Sequence, residues 1–192
     1  MLRLVASCLL ACVAAAAVGC ADPPNKELHQ AQGAIDAARA AGADSYATEE
    51  FTAAVDALAR AEAAVAQRDY RLALSQALDS RERAQNAAKL AASQKAEVRS
   101  TAERLLAEVT SAVAMASARL TAETSRKPSP AVVALQSAVQ NARAALDDAG
   151  KALATEDYLE ARRRLQDVRG PLVAAQKALP ATSSPRPARR GR

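Results

Sequence analysis

The chain has 192 residues, 26 Lys and Arg against 21 Asp and Glu, one Phe, three Tyr and no Trp, and more than a quarter of it is Ala. Ala is the strongest helix former, whereas the β-branched and aromatic residues that fill sheets are scarce, which leaves β and α/β folds without material. Of the net +5, Arg3 lies at the start and Arg186, Arg189, Arg190 and Arg192 at the end; setting these five aside leaves 21 basic against 21 acidic residues, so the body is neutral. In chain order, Met1-Leu2-Arg3 is a short positive start and Leu4 to Val18 is an unbroken apolar or small run. Fifteen such residues fall short of the ~20 that span a bilayer, and with small residues at the exit the run reads as an export signal over 1–19. Ala17-Val18-Gly19-Cys20 resembles a bacterial lipobox, whose Cys is acylated with palmitate-type chains and becomes the first mature residue. Ordinary signal cleavage after Ala21 is the alternative, and would release a soluble periplasmic chain. Cys8 and Cys12 leave with the signal on either reading, so no free thiol is expected after Cys20. More than one acyl chain is needed for stable anchoring, at about 0.8 kcal/mol per buried CH₂. Ala21 follows the Cys where inner-membrane lipoproteins of the enterobacterial type carry Asp, which points to the outer membrane, facing the periplasm. Residues 20–25, with two Pro, read as a tether.

No Gly or Pro occurs between Gly42 and Pro128, so helix boundaries must come from periodicity. Ala54, Leu58, Ala61 and Val65 follow the 4-3-4 spacing of a helix seam, and Ala142, Leu146, Ala149 and Leu153 repeat it. The dipeptides Asp69-Tyr70 and Asp157-Tyr158 stand just beyond the two seams, at the same offset. Second seams follow each: Ala73, Ala77, Ser80, Ala84, Ala87, Ala91, then Ala161, Leu165, Val168, Leu172, Ala175, Leu179. Each copy reads as helix, tight turn, helix. Asp157 with Glu160 suggests a capping box, while Asp69 has Leu72 in the Glu position, so its turn is less defined. Ser129-Pro130 is an N-cap and first-turn pair, and Glu49-Glu50 suit the positive end of a helix dipole. Gly170-Pro171 predicts a kink or restart. The helices expected are 25–42, 47–68, 70–125, 130–155 and 157–179. If the third is continuous it spans on the order of 80 Å, with Leu106, Val109, Val113, Ala116 and Leu120 as the seam of its second half. The fold class is therefore all-α: elongated antiparallel hairpins in a coiled-coil-like bundle sharing one long central helix. The units are 26–100 and 101–180, and 181–192 is an Arg/Pro tail too poor in apolar residues to fold.

The segment from Glu27 through Ala92 resembles a known family. Ala34-Ile35-Asp36-Ala37-Ala38-Arg39-Ala40-Ala41-Gly42-Ala43 precedes Tyr46-Ala47-Thr48-Glu49-Glu50-Phe51, followed by Ala57-Leu58-Ala59-Arg60-Ala61-Glu62 and Asp69-Tyr70-Arg71-Leu72-Ala73. This pattern is similar to the bacterial lipoprotein domain called domain of unknown function 4398. The resemblance implies an envelope location and a helical fold, and no reaction. Some members carry a peptidoglycan-binding domain of the OmpA type; none is recognisable here, so wall binding is not carried over. The Asp-Tyr junctions also resemble the helix-turn-helix of tetratricopeptide repeats, without their 34-residue period.

Candidate chemistry is sparse. His29 is the one His and lacks a nucleophile or metal partner in the pattern. Glu49-Glu50 and Asp147-Asp148 point about 100° apart on a helix, and no oxygen-rich loop follows them. No metal site, cofactor, small-molecule substrate or enzymatic activity is expected. Tyr70 and Tyr158 are either exposed contact anchors or packing residues that fix each hairpin angle. Arg162-Arg163-Arg164 reads as a charge-balanced face beside Glu160 and Asp167. Arg186, Arg189, Arg190 and Arg192 either engage an anionic envelope component or remain solvated. Nucleic acid is not an expected partner, because no aromatic stacks between these Arg residues. The expected partners are membrane lipid through Cys20 and another envelope protein or the cell wall, for a non-catalytic scaffold, spacer or interaction module.

Overall fold

The computed structural model describes residues 22–123 and 129–179. The signal 1–19, Cys20, residues 124–128 and the tail with its four Arg lie outside the described residues. Among the described residues there is no strand, and the helices are α1 Asn25–Ala40, α2 Ala43–Tyr46, α3 Thr48–Ala66, α4 Tyr70–Glu123, α5 Pro130–Ala154 and α6 Tyr158–Ala178. The all-α bundle around a long helix is thus as the composition and seams require, and α4 is unbroken over 54 residues. The chain divides into two compact units between Ser93 and Gln94, earlier than the 100/101 boundary read from the pattern. The shift has a cause in the side chains, since Lys95 already pairs with Glu156 of the second unit.

In the first unit α1, α2, α3 and the opening of α4 enclose a core of small residues. Ala31, Ile35, Ala38, Ala43, Ala47, Phe51, Ala54, Leu58, Ala84, Ala87 and Ala91 form one buried cluster. α1 stops at Ala40 because Gly42 adopts φ 82, a left-handed conformation that costs Gly no Cβ clash. A Cβ there would sit 3.3 Å from the Tyr46 ring. The one-turn α2 that follows was not foreseen; Ala47, at φ −142, ends it and starts α3. The seam 73, 77, 80, 84, 87, 91 is buried at every position. Ser80 is its one polar member, and its hydroxyl donates to the Ala54 carbonyl at 2.8 Å, tying α4 to α3. Ala-lined seams allow close helix approach but bury little area, at about 25 cal/mol per Å².

The second unit fills the equivalent positions with larger side chains. Leu165, Leu172 and Leu179 stand where the first unit has Ala77, Ala84 and Ala91, and all six are buried. They pack with Ala102, Leu105, Val109, Val113 and Ala116 of α4 and with Val132, Leu135, Val139, Ala142 and Ala149 of α5. Leu105, not Leu106, is fully buried in the α4 seam; Leu106 and Leu120 lie at its margin. Ser129 caps α5 as expected, accepting the Val132 N–H at 3.3 Å, with Pro130 in the first turn.

The expected break at Gly170-Pro171 does not occur, because α6 runs through both residues. Two features lower the usual penalty. Gly170 has no Cβ to meet the Pro ring, and Pro171 lies on the exposed face, where water can satisfy the carbonyl that loses its N–H partner.

The Leu-for-Ala contrast yields a stability prediction. Leu165→Ala should destabilise the second unit by about 2–5 kcal/mol in urea unfolding, the range for emptying a buried Leu site. Ala77→Leu, its mirror change, should overpack the first unit and cost about 1–3 kcal/mol.

Candidate functional site

Two helix reversals carry the chain's chemical contrast, and they share one backbone. At the first, the Arg68 N–H donates to the Val65 carbonyl at 2.9 Å and the Asp69 N–H to Ala64 at 2.9 Å. At the second, Glu156 donates to Leu153 at 3.2 Å and Asp157 to Ala152 at 2.8 Å. These pairs are Schellman caps, which satisfy the last carbonyls of α3 and α5. The residue turning the chain has φ 59 in both, Arg68 and Glu156, a left-handed conformation unusual outside Gly. Asp69 Oδ1 then accepts the Leu72 N–H at 3.0 Å, and Asp157 Oδ1 accepts the Glu160 N–H at 3.1 Å. The first turn is therefore capped as firmly as the second, although it lacks the Glu of a capping box. Nor does Glu160 complete such a box, since its carboxylate is taken by Arg163 at 2.7 Å and Arg164 at 2.6 Å.

The side chains on this common frame differ. Tyr158 is buried, 7% exposed, with Lys95 Nζ 5.7 Å and Arg99 Cζ 5.8 Å from its ring centroid. Lys95 also donates to Glu156 at 2.9 Å, so one cation spans the ring and the turning residue. This buried place excludes Tyr158 as an exposed contact anchor and makes it a packing residue. Tyr70 is half-buried, and the turn around it presents exposed Arg68, Arg71 and Leu72. Its counterparts at Glu156, Leu159 and Glu160 make the second turn acidic. Lys95 and Arg99 were not legible as partners of Tyr158, for about sixty residues separate them in sequence. The signal that does reach the turning residues is the repeat offset, which maps Arg68 onto Glu156.

Other candidates are accounted for by their surroundings. His29 is exposed. Lys151 bridges Asp147 at 2.8 Å and Asp148 at 3.7 Å, while Glu50 pairs with Arg83 at 3.5 Å. Arg163 and Arg164 share Glu160, so the triple-Arg run is a charge-balanced face. Among the described residues no group of three His, Cys, Asp or Glu could hold a metal ion, and no helix is long and apolar enough to cross a membrane. Open grooves of about 440 Å³ beside Gln136, Gln140 and Arg143, and about 390 Å³ beside Gln166, Arg169 and Val173, contain no acid–base pair. Cys20, Arg186, Arg189, Arg190 and Arg192 lie outside the described residues.

The Glu156 carboxyl is held below its ordinary value, first by the hydrogen bond from Lys95 and then by that cation's charge. A depressed carboxyl contributes stability above its unfolded value and loses it as pH falls through the folded one. The clasp over Tyr158 should therefore persist at pH 5 and open below the ordinary 4.5. An NMR titration of the Glu156 side chain should show the low midpoint, and Lys95→Met should return it towards the ordinary value.

No curated protein and no solved structure matches the chain. Residues 26–103 match the family model described as Domain of unknown function (DUF4398), so the segment that holds α1, α2, α3 and the opening of α4 resembles that family, as its Ala-rich Asp-Tyr pattern indicates.

Proposed function

We propose that this chain is a lipid-anchored, non-catalytic helical protein of the bacterial cell envelope. In this reading Cys20 is acylated and holds the N-terminus at the outer membrane, and the helical units face the periplasm as a scaffold, spacer or interaction module. The observation that carries the reading is Ala17-Val18-Gly19-Cys20 at the end of a fifteen-residue apolar run with a basic start. The tether is short, with α1 beginning at Asn25, so an anchor at Cys20 lies within a few residues of folded structure.

Binding is favoured over chemistry by what the surface offers. Val55, Leu72, Leu74, Leu78 and Leu90 of the first unit are each at least 37% exposed, as are Met115, Val133 and Val173 of the second. In this reading these exposed apolar residues contact another envelope protein or the wall. Ala17, where the lipobox more often has Leu, favours the second reading, a soluble periplasmic adaptor released by ordinary signal cleavage.

Mass spectrometry of the mature N-terminus separates the two. Acylated Cys20 is the expected first residue, and Cys20→Ser should move the protein from the membrane to the soluble periplasmic fraction. An unmodified chain starting at Asp22 would sink the lipoprotein reading.

A further inference from the structure

We infer that residues 171–179 of α6 are a strap that opens by itself, hinged at Gly170-Pro171 and latched to α4 at Gln176. Nothing in this device depends on an anchor at Cys20. Two residues at the hinge each weaken a helix. Gly in a helix interior leaves the backbone freer than Ala does, and Pro has no N–H to give to the carbonyl four residues back, here that of Asp167. Packing calls for neither of them. A Cβ on Gly170 would meet nothing within 4 Å, and Pro171 is exposed. The first unit supplies the comparison. Its matching repeat positions are Glu82 and Arg83, where Arg83 pairs with Asp79 at 3.0 Å and the helix runs on to Glu123. Folding this helix therefore does not require the Gly-Pro pair.

The two sides of the hinge are held differently. Before it, the Asp157 cap, the buried Tyr158, Ala161 and Leu165, and the Arg169–Glu108 pair at 3.4 Å fix residues 158–169. Beyond it, Leu172 and Leu179 are buried in one cluster with Val109 and Val113 of α4 and Val132 and Val139 of α5. Among the described residues, both polar ties of the strap are at Gln176. Its side-chain amide donates to the Ala112 carbonyl at 2.7 Å, and its own carbonyl accepts from Arg119 at 2.9 Å. The sequence explains the second bond. The helical donor to the Gln176 carbonyl would be the N–H of residue 180, which is Pro and has none, so Arg119 supplies a donor from α4. A Pro thus removes a backbone donor at each end of the strap. α6 ends at Leu179 with ψ 126, without the left-handed residue that turns the chain after α3 and α5. A segment this short does not stay helical in water once detached, because isolated helices under about 12–15 residues are marginal. Opening therefore unfolds the strap and bares the apolar sides of α4 and α5 under Leu172 and Leu179, while 158–169 stays in place.

Residue-resolved amide hydrogen exchange on the full chain tests the strap. Amides 172–178 are expected to share one protection, about tenfold or more below that of 161–168, with a step at the hinge and a weaker urea dependence. Gly170→Ala with Pro171→Ala restores the missing N–H in a helix-favouring background. It should slow exchange of 172–178 about tenfold or more and leave 161–168 unchanged. Arg119→Met removes the latch donor and should speed 172–178 by about three- to tenfold, again leaving 161–168 unchanged. Protection that declines smoothly from 161 to 178 is end fraying and overturns the strap; equal protection across the two segments does so too. A double substitution that slows both segments alike, or neither, overturns the hinge.

Discussion

Both units depend on a left-handed residue placed where neither sequence copy has Gly. Arg68 and Glu156 each hold φ 59, at a cost of roughly 1–2 kcal/mol for a residue with a Cβ. Two backbone hydrogen bonds close over each turn, and the Asp that follows caps the next helix, a contribution of about 1 kcal/mol. Without that reversal the Gly- and Pro-free stretch from Ala43 onwards has no local reason to stop being helix. Ala54 could then not face Ser80, nor Ala142 face Leu165. The packing of α3 on the opening of α4, and of α5 on α6, follows from these turns.

The two copies use that frame in opposite ways. In the second, Leu165, Leu172 and Leu179 face inward, and Glu160 and Gln166 face water. In the first, Ala77, Ala84 and Ala91 face inward, while Leu72 and Leu78 are more than 40% exposed. Apolar bulk has moved from core to surface. The first unit thus buries smaller side chains along this seam, and the Ser80–Ala54 bond ties its two helices together. Its exposed Leu residues leave about two fifths of their area outside that packing, which is why the surface reading of the first unit concerns contact with something else. The match to the family model, over residues 26–103, covers the helices of this Ala-cored unit and runs ten residues past its end at Ser93.

Much of the fold was legible, because helical seams are local in sequence. The 4-3-4 runs located α3, α5 and both halves of α4, and the repeated Asp-Tyr marked the reversals. What escaped depends on contacts or geometry that period alone does not encode. α2 arises from the left-handed Gly42, and periodicity is blind to one turn. Pro171 passes through α6 because Gly170 precedes it and its face is exposed, a combination that a general rule about interior Pro misses. Leu105 displaced Leu106 from the core through a phase difference of one residue along a long helix. In the candidate site, the turn positions were legible from the repeat, but the opposite fates of Tyr70 and Tyr158 were not. Burial of Tyr158 requires Lys95 and Arg99 from a helix far away in sequence. The sequence features that bear on location, the signal, Cys20 and the Arg tail, are written in local composition and stand apart from the helical core.

The central structural claim is that α3 and α4 double back at Arg68 instead of forming one continuous helix. Nitroxides on the exposed positions Asp56 and Glu82 of the full chain test it by double electron–electron resonance. A continuous helix separates these positions by about 40 Å, at 1.5 Å per residue. The hairpin brings them to adjacent helices whose axes lie about 8–10 Å apart, so the account predicts a narrow distribution below about 25 Å once linker length is included. A distribution centred near 40 Å would contradict it.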